Sequence, residues 1–411
     1  MPEADICIIG GGAAGLAAAI AAHRKNPSAK IIIIEKKEKL GKKLLATGNG
    51  RCNLTNRFCE SAPEVIGFFH ELGVFTKEEE QGRVYPYSGQ AIDVLTAMHS
   101  ALTTCRSAAQ IQIKTLFEAS NVTVKNGFII QVSQIGSQNS KSQIQASQLL
   151  LATGGKAAPQ FGSTGDGQRL AKNLGHTITK MIPVLTPVEC EGDFKALKGV
   201  RVRAAVSLLK KGKVIAKETG EVQFMEYGLS GICVMNLSRY LKLDQSSFSD
   251  FTFSIDLMPE IGPEELLKEL LLRKTAMNQF PQQNLLVSIV PSPLAHRILQ
   301  DTDIANITAN DNMISQMTEI QLKTIAHIIK NLTIPVKSAK GWQFAQCTSG
   351  GVALEEIHMD TMESRLIPGL FFAGEIIDYD GPCGGYNLHN AWLTGIKAGR
   401  TMAIKCTEFM K

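Results

Sequence analysis

The chain has 411 residues, 44% of them hydrophobic and 20% charged, with a formal net charge of +5. That length supports two or three domains, and so small a positive excess does not by itself indicate nucleic acid. No apolar run of about 18 residues is present and the start Met1-Pro2-Glu3-Ala4-Asp5 lacks the form of a secretory signal, so neither a membrane span nor export is expected; nine dispersed cysteines without C-x-x-C spacing fit a reducing cytoplasm.

Asp5 to Ile9 reads as a short buried strand. It runs into Gly10-Gly11-Gly12-Ala13-Ala14-Gly15 and then a strong helix former, Leu16 to Ala22. A second apolar strand, Lys30 to Ile34, ends in Glu35. This is G-x-G-x-x-G between a strand and a helix, the arrangement that cradles a dinucleotide. Gly10 makes the tight turn, Gly12 admits a pyrophosphate to the backbone, and Gly15 lets the helix pack on the strand. The helix start supplies N–H donors and a positive dipole end, and Glu35 stands where an acid can reach a ribose hydroxyl. The motif leaves FAD and NAD open.

Next comes Thr47-Gly-Asn-Gly-Arg-Cys-Asn-Leu-Thr-Asn56, a loop richer in chemistry than a chain reversal requires. Leu149 to Gly155 reads as a strand ending in Ala-Thr-Gly-Gly, and Gly369 to Glu375 as another ending in Ala-Gly-Glu. Ser133 to Ser147 is a mildly polar loop or hairpin. From about Thr186 to Pro335 the character changes. Arg201 to Leu209, a Lys-Lys-Gly-Lys turn and Val214 to Phe224 form a hairpin, and Phe251 to Leu257 is an alternating strand. Glu264–Arg273, Leu285–Gln300 and Ile314–Leu332 are helical in pattern. The expected organisation is a dinucleotide-binding domain over 1–185 and 337–411 with a β-barrel-like and helical domain, 186–336, inserted. Such an insertion can roof a cofactor and shape a pocket. Tyr227-Gly-Leu-Ser-Gly231 lacks the G-x-S-x-G spacing of a hydrolase nucleophile, and the histidines show no metal-ligand spacing.

Gly41 to Asn56, Thr153 to Gly167 and Gly374 to Leu388, with their blocks G-R-C-N-L-T-N and D-G-P-C-G-G-Y-N, resemble one bacterial NAD(P)/FAD-dependent oxidoreductase family. It includes enzymes described as aminoacetone oxidase and as 3-dehydro-bile-acid reductase. The resemblance covers nearly the whole chain. It implies an α/β, two-dinucleotide-binding-fold FAD domain of Rossmann type with an inserted domain, and FAD held without a covalent bond. It further implies that the loop after the second strand passes the flavin ring. Gly48 and Gly50 then let main chain approach, Arg51 offers a fixed charge to reduced flavin or substrate, and Asn53 and Thr55 offer hydrogen bonds. Cys52 is either a thiol beside the ring or a small packing residue. Gly384 and Gly385 permit close approach where the His389–Met402 helical stretch begins. Tyr386 is a candidate proton donor or a packing ring, and Cys383 raises the same question as Cys52. The candidate cofactor set is Gly10, Gly12, Ala13, Ala14, Gly15, Glu35, Lys36, Lys43, Gly48, Gly50, Arg51, Cys52, Asn53, Leu54, Thr55, Thr153, Gly154, Gly155, Gly374, Glu375, Gly384, Gly385, Tyr386, Asn387 and Leu388. Arg51 and Tyr386 are the catalytic candidates, and no metal is expected.

The expected activity is hydride transfer between FAD and a small organic substrate. No second complete G-x-G-x-x-G is present, so dioxygen or a transiently docked NAD(P)H is the second partner. A fumarate-reductase or aspartate-oxidase type shares the order of blocks, but Tyr386 and Asn387 stand where those enzymes carry an arginine. An FAD-bearing RNA-interacting protein is the alternative of another class, motivated by Arg201, Arg203, Lys210, Lys211 and Lys213. That cluster straddles a hairpin turn and reads as a solvated face, so no nucleic-acid partner is expected.

Overall fold

A computed structural model describes residues 2–104, 110–137, 141–243, 248–301 and 312–408. Contacts divide the chain into two compact units, Met1–Pro183 with Ala345–Lys411, and Val184–Phe344.

In the first unit, Ala4–Ile9 lies between Ile31–Glu35 and Lys141–Leu151, parallel to both. Ile111–Thr115 and Leu370–Phe372 extend the parallel sheet on either side. The central strands read as continuous apolar runs because both faces of a parallel sheet are covered; Ile6, Ile8, Ile33 and Leu149 to Leu151 are fully buried. The polar stretch after Phe128 forms an antiparallel meander, Phe117–Val124, Phe128–Gln134 and the first half of Lys141–Leu151. It is the hairpin of the two forms expected, with residues 138–140 outside the described ones.

One face of the sheet carries the helix Ala13–Lys25, packed along Tyr386–Glu408. Their approach is close enough to exclude side chains. A Cβ on Gly395 would lie 2.4 Å from the Ala14 carbonyl oxygen, and one on Gly399 would lie 2.2 Å from that of Ala18. The long helix, expected from His389 to Met402, starts at Tyr386 and continues to Glu408.

The second unit is a closed barrel in the order Val188–Cys190, Gly228–Ser230, Lys213–Met225, Arg201–Lys210, Phe251–Asp256, Leu332–Ala339. Helices Pro263–Ala276, Ser292–Gln300 and Glu319–Lys330 accompany it. Two of these are shorter than the apolar pattern suggested. Pro291 and Pro293 set the start of Ser292–Gln300, since proline suits only the first turn. Thr318 caps Glu319–Lys330, its hydroxyl accepting from the Gln321 N–H at 3.2 Å. Leu332, assigned by its pattern to that helix, instead opens a strand in which Leu332, Ile334 and Val336 alternate inward. Pro335 sits on the outward face, opposite Thr252 in the ladder. Among the described residues no helix is long and apolar enough to cross a membrane.

Candidate FAD site

The three motif glycines do separate jobs. Gly10 has φ +109°, and a Cβ there would lie 2.4 Å from the Ala152 carbonyl oxygen, so the turn and the end of the Lys141–Leu151 strand meet backbone to backbone. A Cβ on Gly15 would lie 1.9 Å from the Gly10 carbonyl oxygen. Gly12, by contrast, has nothing within 4 Å of its Cβ position. It is the residue before the helix, so the open space faces the first-turn N–H groups. Glu35 accepts from the Gly11 and Lys37 N–H groups, each at 2.8 Å.

Behind this turn lies a second, ion-paired layer. Lys43 reaches Glu375 at 3.0 Å and the Ala157 carbonyl at 3.2 Å. Glu375 also accepts from the Thr348 N–H at 2.9 Å. The Thr348 hydroxyl oxygen accepts from the Lys156 and Ala157 N–H groups at 2.8 and 3.0 Å. Thr348 thereby fixes the Thr153-Gly154-Gly155 turn, and a Cβ on Gly155 would collide with it at 2.3 Å. Gly374 packs against Ala14 and donates to the Thr394 hydroxyl at 2.9 Å. Lys36 is paired with Asp166 and Thr164 of the T-G-D-G loop. Gln168 donates to the Gly154 carbonyl at 3.1 Å, while its Oε1 is buried without a hydrogen-bond partner.

At the other end, residues 47–56 fold through a run of left-handed backbone: φ is +56° at Gly48 and Asn49, +82° at Gly50 and +58° at Cys52. Glycine and asparagine tolerate this region; cysteine rarely enters it. The turn is closed by Arg51 N–H to Gly48 O at 3.2 Å and Cys52 N–H to Thr47 O at 3.1 Å. Thr55–Asn56 then pairs with Arg83–Pro86, which pairs in turn with Thr76–Glu79.

Side chains on this loop are partly spent on one another. The Arg51 guanidinium meets Glu79 at 2.5 Å and lies 4.2 Å over the Tyr85 ring. Its charge is therefore matched within the loop-and-sheet layer. Cys52 is fully buried, and burial pushes its thiol up to about 12, so it packs as a neutral thiol. Asn53 is buried with Oδ1 unpartnered, and this oxygen requires a donor. Buried Leu54 accepts from the Trp392 ring N–H at 3.0 Å.

Thr55 Oγ1 lies 2.8 Å from His389 Nδ1. Burial lowers the His389 pKa, and a hydrogen bond to the Glu60 backbone opposes that shift only in part. The Thr55 contact ties the opening loop to the start of the long helix.

The C-terminal block closes over this loop. Gly385 has φ +102°, and a Cβ there would lie 2.6 Å from the Thr55 carbonyl oxygen and 2.9 Å from Asn53 Oδ1. Asn387 is occupied locally: Oδ1 accepts from the Gly381 N–H at 2.7 Å and Nδ2 donates to the Gly381 carbonyl at 2.8 Å. Leu388 packs against the core. Tyr386 is half-buried at the start of the long helix, its phenol pKa raised by burial and then by Cys59. Cys383 Sγ sits 3.7 Å from the Gln346 side-chain oxygen.

The donor set fits FAD. The open Gly12 position faces a helix start, and the two ends of the site each hold a buried amide oxygen lacking a partner, Gln168 Oε1 and Asn53 Oδ1. Sequence reasoning missed Thr348 and His389. Cys347-Thr348-Ser349-Gly350-Gly351 was legible only as a returning segment, and His389 only as the first residue of an apolar helix.

The HI0933-like protein Rossmann domain family matches this chain over residues 4–66 and 60–401. The 3-dehydro-bile acid delta(4,6)-reductase of Clostridium scindens is 35% identical, over 97% of this chain and 98% of its own. The ribosomal RNA dihydrouridine synthase of Haemophilus influenzae is 27% identical, over 94% of this chain and 95% of its own. Among solved structures, the 3-ketosteroid delta1-dehydrogenase of Sterolibacterium denitrificans aligns with a TM-score of 0.50 at 13% identity, covering 98% of this chain and 99% of its own. That last likeness is one of fold.

Proposed function

The chain belongs to the HI0933-like Rossmann-domain family and is an FAD-dependent oxidoreductase, and on that premise we propose that it reduces a carbon–carbon double bond conjugated to a carbonyl group. The observation that carries this reading is the nearly end-to-end similarity to a delta(4,6)-reductase, over 97% of this chain. The two curated relatives bear names of different substrates but of one chemistry: a 3-oxo-4,6-diene and a uracil ring each contain a C=C next to a C=O.

Bound FAD would supply the two-electron hydride chemistry. The chain's own residues bind and orient. Gly10, Gly12 and the first turn of Ala13–Lys25 receive the pyrophosphate, and Glu35 the ribose. Thr153 to Gly155, braced by Thr348 and Glu375, line the next stretch. Asn53 Oδ1 accepts from a ring N–H or ribityl hydroxyl. Attachment is non-covalent: Cys52 and Cys347 are buried with thiol pKa values raised, and His389 lies against the Thr55 hydroxyl. NAD(P)H provides the electrons by transient docking, because the chain carries no second G-x-G-x-x-G.

A small molecule is favoured over RNA by the state of the basic hairpin. Arg201 pairs with Glu221 and Lys211 with Asp250, which leaves a mixed-charge face. Ribosomal RNA is the second reading, favoured by the 27% identical relative. The test is anaerobic incubation of holoenzyme and NADH or NADPH with a 3-oxo-4-ene steroid, a 3-oxo-4,6-diene and unmodified ribosomal RNA, followed by mass spectrometry. A two-hydrogen gain on an enone supports the proposal. A gain on uridine alone supports the second reading, and none, with rapid oxygen consumption in air, identifies an oxidase.

A further inference from the structure

We propose that Arg83, and not Arg51, is the residue that binds the substrate's carbonyl oxygen. This rests on the reading of the protein as a reductase of conjugated carbonyl compounds.

The small sheet formed by Thr55–Asn56, Arg83–Pro86 and Thr76–Glu79 brings three arginines together with two glutamates. Arg51 takes Glu79, at 2.5 Å, and Arg57 takes Glu78, at 3.1 Å. Glu79 also receives Lys77 at 3.3 Å. In the ladder Glu79 stands directly opposite Arg83, where the two would pair if nothing intervened. Arg51 and Lys77 claim that carboxylate instead. Among the described residues Arg83 has no carboxylate partner; its side chain donates to the neutral amide oxygen of Gln81.

Its position gives the unpaired charge a use. Gly384 has φ +120° and no side chain, and around its Cβ position lie Tyr386 Cε2 at 3.7 Å, Asn56 Nδ2 at 3.8 Å and Arg83 Nε at 3.9 Å. Asn56 Nδ2 is already given to the Gly384 and Gln81 carbonyls, at 3.0 and 2.9 Å. The half-buried Arg83 therefore borders the gap at Gly384, next in the chain to Gly385, whose own Cβ position meets Thr55 and Asn53. Guanidinium stays charged at any working pH and presents several N–H donors in a plane. Reduction of a conjugated C=C gathers negative charge on the carbonyl oxygen, so a fixed cation there favours the transition state over the ground state. Arg51 has a different task in this arrangement: by holding Glu79 it keeps Arg83 free of its neighbour.

The probe is 4-chlorophenol, whose phenolate oxygen imitates an enolate, titrated into oxidised holoenzyme and read as a change in the flavin's visible absorbance. Wild type is expected to bind it as phenolate. Arg83→Met should weaken binding by about 10- to 100-fold, the range for loss of a charged hydrogen-bond partner, and Arg83→Lys should lie between. Arg51→Met should also weaken it, because Glu79 is released toward Arg83, and Arg51→Met/Glu79→Gln should restore it. FAD content and melting temperature are measured on each variant. If Arg83→Met loses FAD, the Arg83→Lys and double-variant titrations decide in its place. Wild-type affinity in Arg83→Met, no phenolate binding to wild type, or failure of the double variant to recover would each overturn the proposal. Arg83-dependent phenolate binding without turnover of any enone would leave this assignment standing and remove the reductase reading beneath it.

Discussion

The two ends of the candidate FAD site are built on opposite plans. The nucleotide end is largely contiguous: Ala4–Ile9, the glycine turn, Ala13–Lys25 and Ile31–Glu35 follow one another, Gly15 packs on the Gly10 carbonyl, and Gly10 itself meets the distant Ala152. The reacting end is assembled from residues 47–56, 76–86 and 381–389, which meet only in the fold. There a side chain's role is decided by which partner reaches it first. Arg51 and Arg83 carry the same charge and differ in having, or lacking, a carboxylate partner among the described residues. Contiguous sites expose their chemistry to a sequence reading; assembled ones expose only their inventory.

The sharpest break between the ends comes from a single glycine. Gly12→Val fills a position with open space around it, so the apo fold should persist while FAD is lost from the purified protein, measured by absorbance after acid release. Retained stoichiometric FAD would place the pyrophosphate elsewhere. At the reacting end, Arg83→Met should lower kcat/KM for an enone by about 10²-fold, the scale for removing one oxyanion donor. Arg51→Met should cost less, because it acts only through Glu79. The reverse order, seen in steady-state kinetics, would return the fixed charge to the opening loop.

Gly399→Ala probes the helix pair that carries both ends. A Cβ 2.2 Å from the Ala18 carbonyl oxygen forces the helices apart, and thermal or urea unfolding should show a loss of about 1–3 kcal/mol. The pH dependence is subtler. His389 has its pKa lowered by burial, so near pH 6 the unfolded chain binds more protons than the folded one. Its stabilising contribution is complete above the unfolded value of about 6.5 and is lost as pH falls through it. His23 and His99 are lowered by burial as well and add with the same sign. His389→Gln should flatten, without abolishing, the fall in melting temperature between about pH 7 and 5. The smallest effect belongs to Cys52. With its thiol held at about 12, it should resist iodoacetamide at pH 8 in the folded enzyme, and Cys52→Ala should retain FAD and turnover.

These contrasts also explain what was legible. Parallel strands buried on both faces announce themselves as apolar runs, and Gly10, Gly12 and Gly15 carry their geometry in their spacing. The barrel was visible in three alternating strands, Arg201–Lys210, Lys213–Met225 and Phe251–Asp256; Val188–Cys190 and Gly228–Ser230 are too short to show alternation, and the first residue of Leu332–Ala339 also completes a helical period. Arg51 was conspicuous because it stands among glycines and asparagines. Nothing in the sequence says that Glu79 lies beside it, since that contact depends on a ladder register 28 residues away. Arg83, in an ordinary alternating stretch, gave no signal at all. His389 and Thr55 are separated by 334 positions and meet at 2.8 Å, a pairing that only the packing of the long helix creates.

The most direct test of the central claim is a double-mixing experiment without oxygen. NADPH or NADH is mixed with holoenzyme until the visible flavin band bleaches, and a 3-oxo-4,6-diene is then added while that band is followed. Return of the band, together with a product two hydrogens heavier than the diene, is the expected result. A flavin that stays reduced in the presence of the diene, yet reoxidises at once with air or with unmodified ribosomal RNA, would contradict it.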